Sequence, residues 1–389
     1  MRSMSQDIRD FVTPSCDLLA LGEPTHQEPA FGRVRNELFA QLACHGFRSI
    51  ALETDRVAAL AVNDYVQEGT GNLDALMRDG FSHGFGDQDA NRRLVSWMRE
   101  HNRNRPPAER LAFHGFDAPL ETTTAPSPRT CLEHARDYLG LDLDLAELTG
   151  DDTRWSRPEA VLDHTMSPGA TAEAERLRSI ADDMLVSLYG RAPELIAATS
   201  RAAWTRARTH LTAGLDLLRY HKQSAQPLEP SPRIAGLAAT RDALMARNLL
   251  DIRAIEERRG PTLVFAHNLH LQRNSSVWSL GDLAARWSGA GAIVASLLGE
   301  RYVCVAGSLG RSEALGLREP APDTHEGLLQ SRTSTWRLEQ PATADPAART
   351  RTDTHPRQGY FPLDRATLGA VDAVLHVSDG TTAGTPAHT

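Results

Sequence analysis

The stretch from Asp17 to Asp55, DLLALGEPTHQEPAFGRVRNELFAQLACHGFRSIALETD, is the passage from which the rest of the chain is read. It opens on an apolar run at 17–23 that is continuous rather than alternating, the pattern of a strand buried on both faces. From Phe31 the period changes. Val34, Leu38 and Leu42 share one helical stripe, and HGF at 45–47 closes that helix with a glycine before a second apolar run at 48–53. Strand, helix and strand in so short a span make a βαβ unit with a right-handed crossover.

The same kind of segment recurs at 110–117 (RLAFHGFD), 262–268 (TLVFAHN), 291–298 (GAIVASLL), 301–307 (RYVCVAG) and 372–378 (DAVLHVS), each predicted to be a buried strand. The fold class is therefore α/β, a mostly parallel sheet flanked by helices. Residues 120–230 interrupt the rhythm. After the Pro/Thr-rich PLETTTAPSP, Leu177, Ile180, Met184 and Leu188 fall on one face, and Leu211, Leu215 and Leu218 on another, which predicts a helical insertion. A further helix, with Leu237, Arg241, Leu244, Met245, Asn248, Ile252 and Ile255 in register, leads into the strand at 262. The division expected is an α/β core of 1–119 and 231–389 and a helical insertion of 120–230, the two countable together as one domain. The segment 311–370, rich in Pro, Thr and Arg, is expected to form loops and short helices.

A chain of 389 residues with 41% hydrophobic and 24% charged side chains has ample material for a core. No apolar run approaches the roughly 20 residues that span a bilayer, and the start, MRSMSQDIRDFVTPSCD, lacks the apolar centre of a signal peptide. A cytoplasmic protein is expected. Cys16, Cys44, Cys131 and Cys304 are far apart, without a C-x-x-C pair, so they suggest free thiols rather than disulfides or a thiolate zinc site. The net charge is −8 and the basic residues are scattered, which argues against a nucleic-acid partner. Of 42 basic residues only Lys222 is lysine, consistent with a GC-rich, actinobacterial-type coding bias.

The ionisable residues follow strand ends: Glu23 and His26 after the first, Glu53 at the second, His114 and Asp117 at the third, His267 and His270 after the fourth. Parallel strands would bring them to one carboxyl edge, where open α/β sheets place their sites. Bland readings stand beside this one. Thr25 and Glu28 fit a capping box for the following helix, Glu53 has Arg35 and Arg56 within reach, and His114 alone fits a hydrogen-bonded structural histidine. No G-x-S-x-G, G-x-G-x-x-G or P-loop is present, which argues against an acyl-enzyme, a dinucleotide and ATP. Histidines flanked by carboxylates suit water activation by general acid–base chemistry. HNLH, with His267 and His270, also permits a metal site beside Glu23 or Asp117.

Residues 21–55, with LVSWMREHN, FHGFD, RDALMARN and VFAHNLHLQR, resemble the erythromycin esterase family. Its G-E-x-x-H motif, the arginine nine residues after that histidine and the glutamate ending the next strand fall on Glu23, His26, Arg35 and Glu53. Its A-H-N-x-H falls on Ala266 to His270. The resemblance implies a helical lobe over the carboxyl edge and metal-independent, cofactor-free hydrolysis of a macrolide-like lactone or another natural-product ester. His26 would be the general base, oriented by Glu23 or Glu53; Arg35 and His267 or His270 would stabilise the oxyanion or supply a proton. His270, Asn268, His114, Asp117 and His83 are expected to bind the small-molecule substrate. Antibiotic resistance and natural-product biosynthesis are both settings that fit, the latter with the same His/Glu set used for cyclisation, elimination or group transfer. A metal-dependent hydrolase and a binding protein with a decayed site are further alternatives. Neither nucleic acid nor membrane is expected as a partner.

Overall fold

The computed structural model describes residues 4, 5, 7–341 and 347–381. Ten strands occur among them: β1 (Met4–Ser5), β2 (Leu18–Glu23), β3 (Ser49–Asp55), β4 (Ala112–Asp117), β5 (Thr262–His267), β6 (Ser276–Leu280), β7 (Leu283–Trp287), β8 (Tyr302–Arg311), β9 (Trp336–Glu339) and β10 (Ala373–Asp379). Eight of these form one sheet in the order β1-β9-β10-β8-β2-β5-β3-β4, and β6 and β7 form a hairpin. From β10 to β4 every pairing is parallel; β9 and β1 extend the other edge antiparallel. The segment expected as loops and short helices thus contributes a strand, β9, whose four residues are too few to show a period.

Every residue of β2 and β5 is buried, as their continuous apolar sequence requires when helices cover both faces. On one face lies α1 (Pro29–Ala43), whose Phe31, Val34, Leu38 and Leu42 pack with Leu19, Leu21, Ile50 and Leu52. Glu28 starts α1 by accepting the Ala30 N–H at 3.1 Å, with Pro29 at the first helical position, where its missing N–H costs nothing. The capping-box reading of Thr25 is corrected: its hydroxyl accepts the Gln27 N–H and donates to the Gln358 carbonyl. On the same side of the sheet run α2 (Ala59–Glu68) and α3 (Asp89–Asn102).

The 120–230 segment is helical, with α4 (Arg129–Leu139), α5 (Ala172–Gly190) and α6 (Arg201–Ser224). These enclose their own apolar centre, including Leu132, Trp155, Leu177, Met184, Leu188, Leu211 and Leu218. The next helix, α7 (Pro230–Glu256), serves both bodies. Leu237 and Leu244 pack with lobe residues, whereas Met245, Leu249 and Ile252 pack under the sheet.

The segment 291–298 is a helix, α8 (Ala290–Leu298), not the strand expected. An unbroken apolar run carries no period that separates a buried strand from a buried helix. Here the buried residues Ala290, Gly291, Val294 and Leu298 follow helical spacing, while Leu297 is exposed.

Asn268, expected at the substrate, is instead buried as a clamp between strands. Its side chain donates to the Gly307 carbonyl and accepts the Gly307 N–H, both at 2.8 Å. A Cβ on Gly22 would fall 2.1 Å from the same Asn268 oxygen, so the clamp also requires glycine there. Asn268→Ala strands two buried backbone groups of Gly307 and should destabilise the protein by about 3 kcal/mol. An unchanged urea midpoint would contradict this role.

Candidate active site

The carboxyl ends of β2, β5 and β3 lie side by side, with Glu23 in register with His267 and Leu52 with Phe265. The chain leaves β2 toward β3 on one side, and β5 toward β8 on the other, so this is the topological switch point of the sheet. A bulge sharpens the placement. Leu52 pairs with Gly115 but Asp55 with Asp117, so three steps along β3 match two along β4, and the extra residue falls at Glu53 and Thr54.

Glu53 sits at the centre. Its carboxylate accepts the His267 backbone N–H at 2.9 Å and an Arg241 Nη2–H at 3.1 Å, and it pairs with His270 Nε2 at 3.3 Å. Burial opposes its charge, but the charges of His270 and His26, followed by Arg241, hold its pKa well below the ordinary carboxylate value. Arg241 also binds both oxygens of Asp117, which burial likewise opposes and Arg241 and His83 hold ionised.

The four histidines of the cluster differ in what their ring nitrogens have left to give. His267 has both engaged by backbone: Nε2 donates to the Pro24 carbonyl at 3.2 Å and Nδ1 accepts the Leu269 N–H at 3.2 Å. It is a neutral, structural ring, its pKa lowered to about 3 by burial and by the charge of His26. His83 has both nitrogens on carboxylates, Nε2 at 3.1 Å from Asp117 and Nδ1 at 3.2 Å from Glu121. His270 is similar, with Nδ1 at 2.8 Å from Asp242 and Nε2 facing Glu53. Burial works against its charge, yet Asp242 and Glu53 raise its pKa to about 10, so it is an imidazolium at neutral pH.

His26 differs. Nδ1 is bound to Glu23 at 2.8 Å, while Nε2 lies 3.7 Å from Glu53, beyond hydrogen-bond length. Its side chain is 33% exposed, the most open of the four, and leans on Phe85 at 5.0 Å. Burial disfavours its charge, but the Glu53 charge and the Glu23 hydrogen bond outweigh that, and its pKa is raised above 6.5. Glu23 is raised by its own burial, offset in part by His26.

The structure thus brings together Glu23, His26, Glu53, Asp117, His83, His267 and His270. Arg35 lies beneath them, 1% exposed, with its guanidinium on Asn36 and Asn91 and 4.8 Å over the Phe265 ring. It lines a small cavity of about 20 Å³ with Glu23, Glu53 and Phe85. His114 is not part of the cluster; its Nε2 is 2.9 Å from Glu256. Three participants escaped the sequence reading: Asp242, Trp287 and Phe85. Asp242 accepts from His270, Trp287 Nε1 at 2.6 Å and the Ala290 N–H at 2.8 Å. Arg241 carries one signal in the sequence, a charge in register with an apolar helical stripe. Among the described residues, no group of three or more histidine, cysteine or carboxylate side chains is arranged to hold a metal ion. No helix there is long and apolar enough to cross a membrane.

The family model described as Erythromycin esterase matches residues 42–382, which begins after Glu23 and His26. Among solved structures, the fold is similar to a Bacillus cereus protein, with TM-score 0.69 and 16% identity, covering 96% of this chain and 90% of that one. It is similar to a succinoglycan biosynthesis protein, with TM-score 0.67, 16% identity and coverage of 96% and 90%. It is also similar to a histidine-to-asparagine variant of the erythromycin esterase EreC in its open conformation, with TM-score 0.67, 20% identity and coverage of 96% and 94%. No curated protein matches the chain.

Asp242→Asn removes the neighbouring carboxylate charge that does most to keep His270 protonated. The His270 ring should titrate near pH 10 in the parent and markedly lower in the variant, read from its imidazole NMR signals; equal titration would refute the pairing. The raised pKa also sets a sign: the stability from His270 is fully present below its unfolded pKa of about 6.5 and is lost as pH rises through about 10.

Proposed function

This chain belongs to the erythromycin esterase family, and on that premise we propose that it is a hydrolase in which His26 activates water for attack on an ester or lactone carbonyl. The substrate class proposed is a macrolide-like or other natural-product ester, handled without a metal or organic cofactor. The observation that carries this reading is the single uncommitted ring nitrogen of the cluster, His26 Nε2.

A general base needs a nitrogen that can take a proton, a partner that fixes the tautomer and exposure to the reacting atoms. Glu23 at Nδ1 keeps the hydrogen on that side, so Nε2 of the neutral ring presents its lone pair outward. When Nε2 takes the proton from water, the imidazolium lies between the carboxylates of Glu23 and Glu53, which favour its charge. The same proton then serves the leaving alcohol. Charge on the tetrahedral intermediate would fall to Arg241, which reaches the cluster through Glu53 and Asp117 with its side chain 22% exposed, whereas Arg35 is 1% exposed; this favours Arg241 over Arg35 for the oxyanion role. Arg35 acts through its charge on Glu23.

The structural likeness to a biosynthesis protein supports a second reading, a tailoring enzyme that moves protons with the same residues and adds no water. Product mass separates the two: hydrolysis adds one water to a macrolide lactone, and dehydration or isomerisation does not.

His26→Ala should lower turnover about 10²- to 10⁴-fold, with an unchanged circular dichroism spectrum. Retained activity would refute the assignment. In the parent, kcat/KM should rise with pH along a limb centred above 6.5, because the base is active only when deprotonated and its pKa is raised. A limb centred below 6 would place the base elsewhere.

A further inference from the structure

A second cavity, of about 640 Å³, lies along the outer edge of β4, between α2, the last turn of α7 and the first turns of α6. None of Glu23, His26, Glu53, Asp117 or His270 lines it, but His114 does. Its volume falls within the range of small-molecule sites, roughly 300–1,000 Å³, and it occupies a seam between two packed bodies, where such sites concentrate.

The walls are of two kinds. Leu60, Phe113 and Ile255 give an apolar side. Arg56, Arg201, Arg206 and Arg259 give a cationic one, against two lining acids, Asp64 and Glu256. Four arginines less two carboxylates leave a net charge of +2 before His114 is counted, in a chain whose total is −8.

Both acids are already committed. Asp64 takes Arg206 on its two oxygens at 2.6 Å; Glu256 takes Arg259 at 2.7 Å and His114 at 2.9 Å. Arg201 is exposed at the mouth and has no hydrogen-bond or ion-pair partner among the described residues. His114 spends Nε2 on Glu256 and has no partner at Nδ1 among the described residues, with its side chain 17% exposed.

We propose that this cavity binds an amphiphilic organic anion, an apolar body that bears a carboxylate or phosphate head, separately from the hydrolytic centre. A cation would meet a like-charged wall. An inorganic anion would leave the apolar wall wet, and a neutral apolar molecule would leave the excess positive charge unmatched. An amphiphilic anion answers both walls, and its occupancy joins α6 of the lobe to α2 and β4 of the core.

The test is equilibrium binding of octanoate and octyl phosphate to the full chain at low salt, with 1-octanol as the neutral probe. At least one anion should bind about tenfold or more tightly than 1-octanol; their relative affinities identify the preferred head. Arg201→Glu, at an exposed position, should weaken anion binding about fivefold or more and leave 1-octanol unaffected. Ala203→Trp, which puts a ring into the cavity, should abolish binding. His26→Ala should leave it unchanged. Absence of anion binding, equal binding of the alcohol or indifference to Arg201→Glu would overturn the proposal. So would survival of binding in folded Ala203→Trp or its loss in His26→Ala, the latter placing the ligand in the catalytic cleft.

Discussion

The arrangement of the site follows from one buried charge, the carboxylate of Glu53. An ionised carboxylate taken out of water costs several kcal/mol unless cations and hydrogen-bond donors replace the solvent. Here the replacement comes from two separate stretches of chain: Arg241 on α7, and the end of β5 with the turn after it, which supply the backbone N–H of His267 and the His270 ring. The two cationic side chains are each fixed by a further partner, Asp117 for Arg241 and Asp242 for His270. The polar network therefore ties the ends of β3, β4 and β5 to α7 where apolar packing gives way to the cleft.

The network also explains why several histidines in one place do not do the same work. A ring whose two nitrogens are both satisfied is held in one charge state, neutral for His267 and protonated for His270. Only His26 combines one committed nitrogen with one open to the cleft, and its surroundings move its titration by opposing effects of burial and negative charge. The freedom to exchange a proton in such a cluster resides in the least satisfied member.

Much of the fold was legible because parallel strands covered on both faces are written as continuous apolar runs; β2, β3, β4, β5, β8 and β10 all carry that signature. Its weakness appears at α8, where the same kind of run is helical. The gathering of Glu23, His26, Glu53 and the HNLH pair at one edge was also legible, since parallel strands fix which ends coincide. The roles of individual residues were not. His114 and Asp117 differ by an odd number of positions on one strand, so alternation sends them to opposite faces, and only Asp117 reaches the cluster. The bulge at Glu53, the approach of α7 and the inward burial of Arg35 depend on tertiary contacts with no local signal.

The long helix α7 carries a mechanical consequence. At about 1.5 Å per residue its 27 residues reach about 40 Å, and it packs in the lobe at one end and beneath the sheet at the other. Arg241 and Asp242 sit near its middle, where the two bodies meet. The lobe is thus mounted on a beam whose midpoint grips Glu53 and His270. Tilting the lobe bends or turns this beam, and the strain reaches the Glu53 and His270 contacts directly. A ligand wide enough to move the lobe would thereby change the electrostatics of the Glu53 network itself.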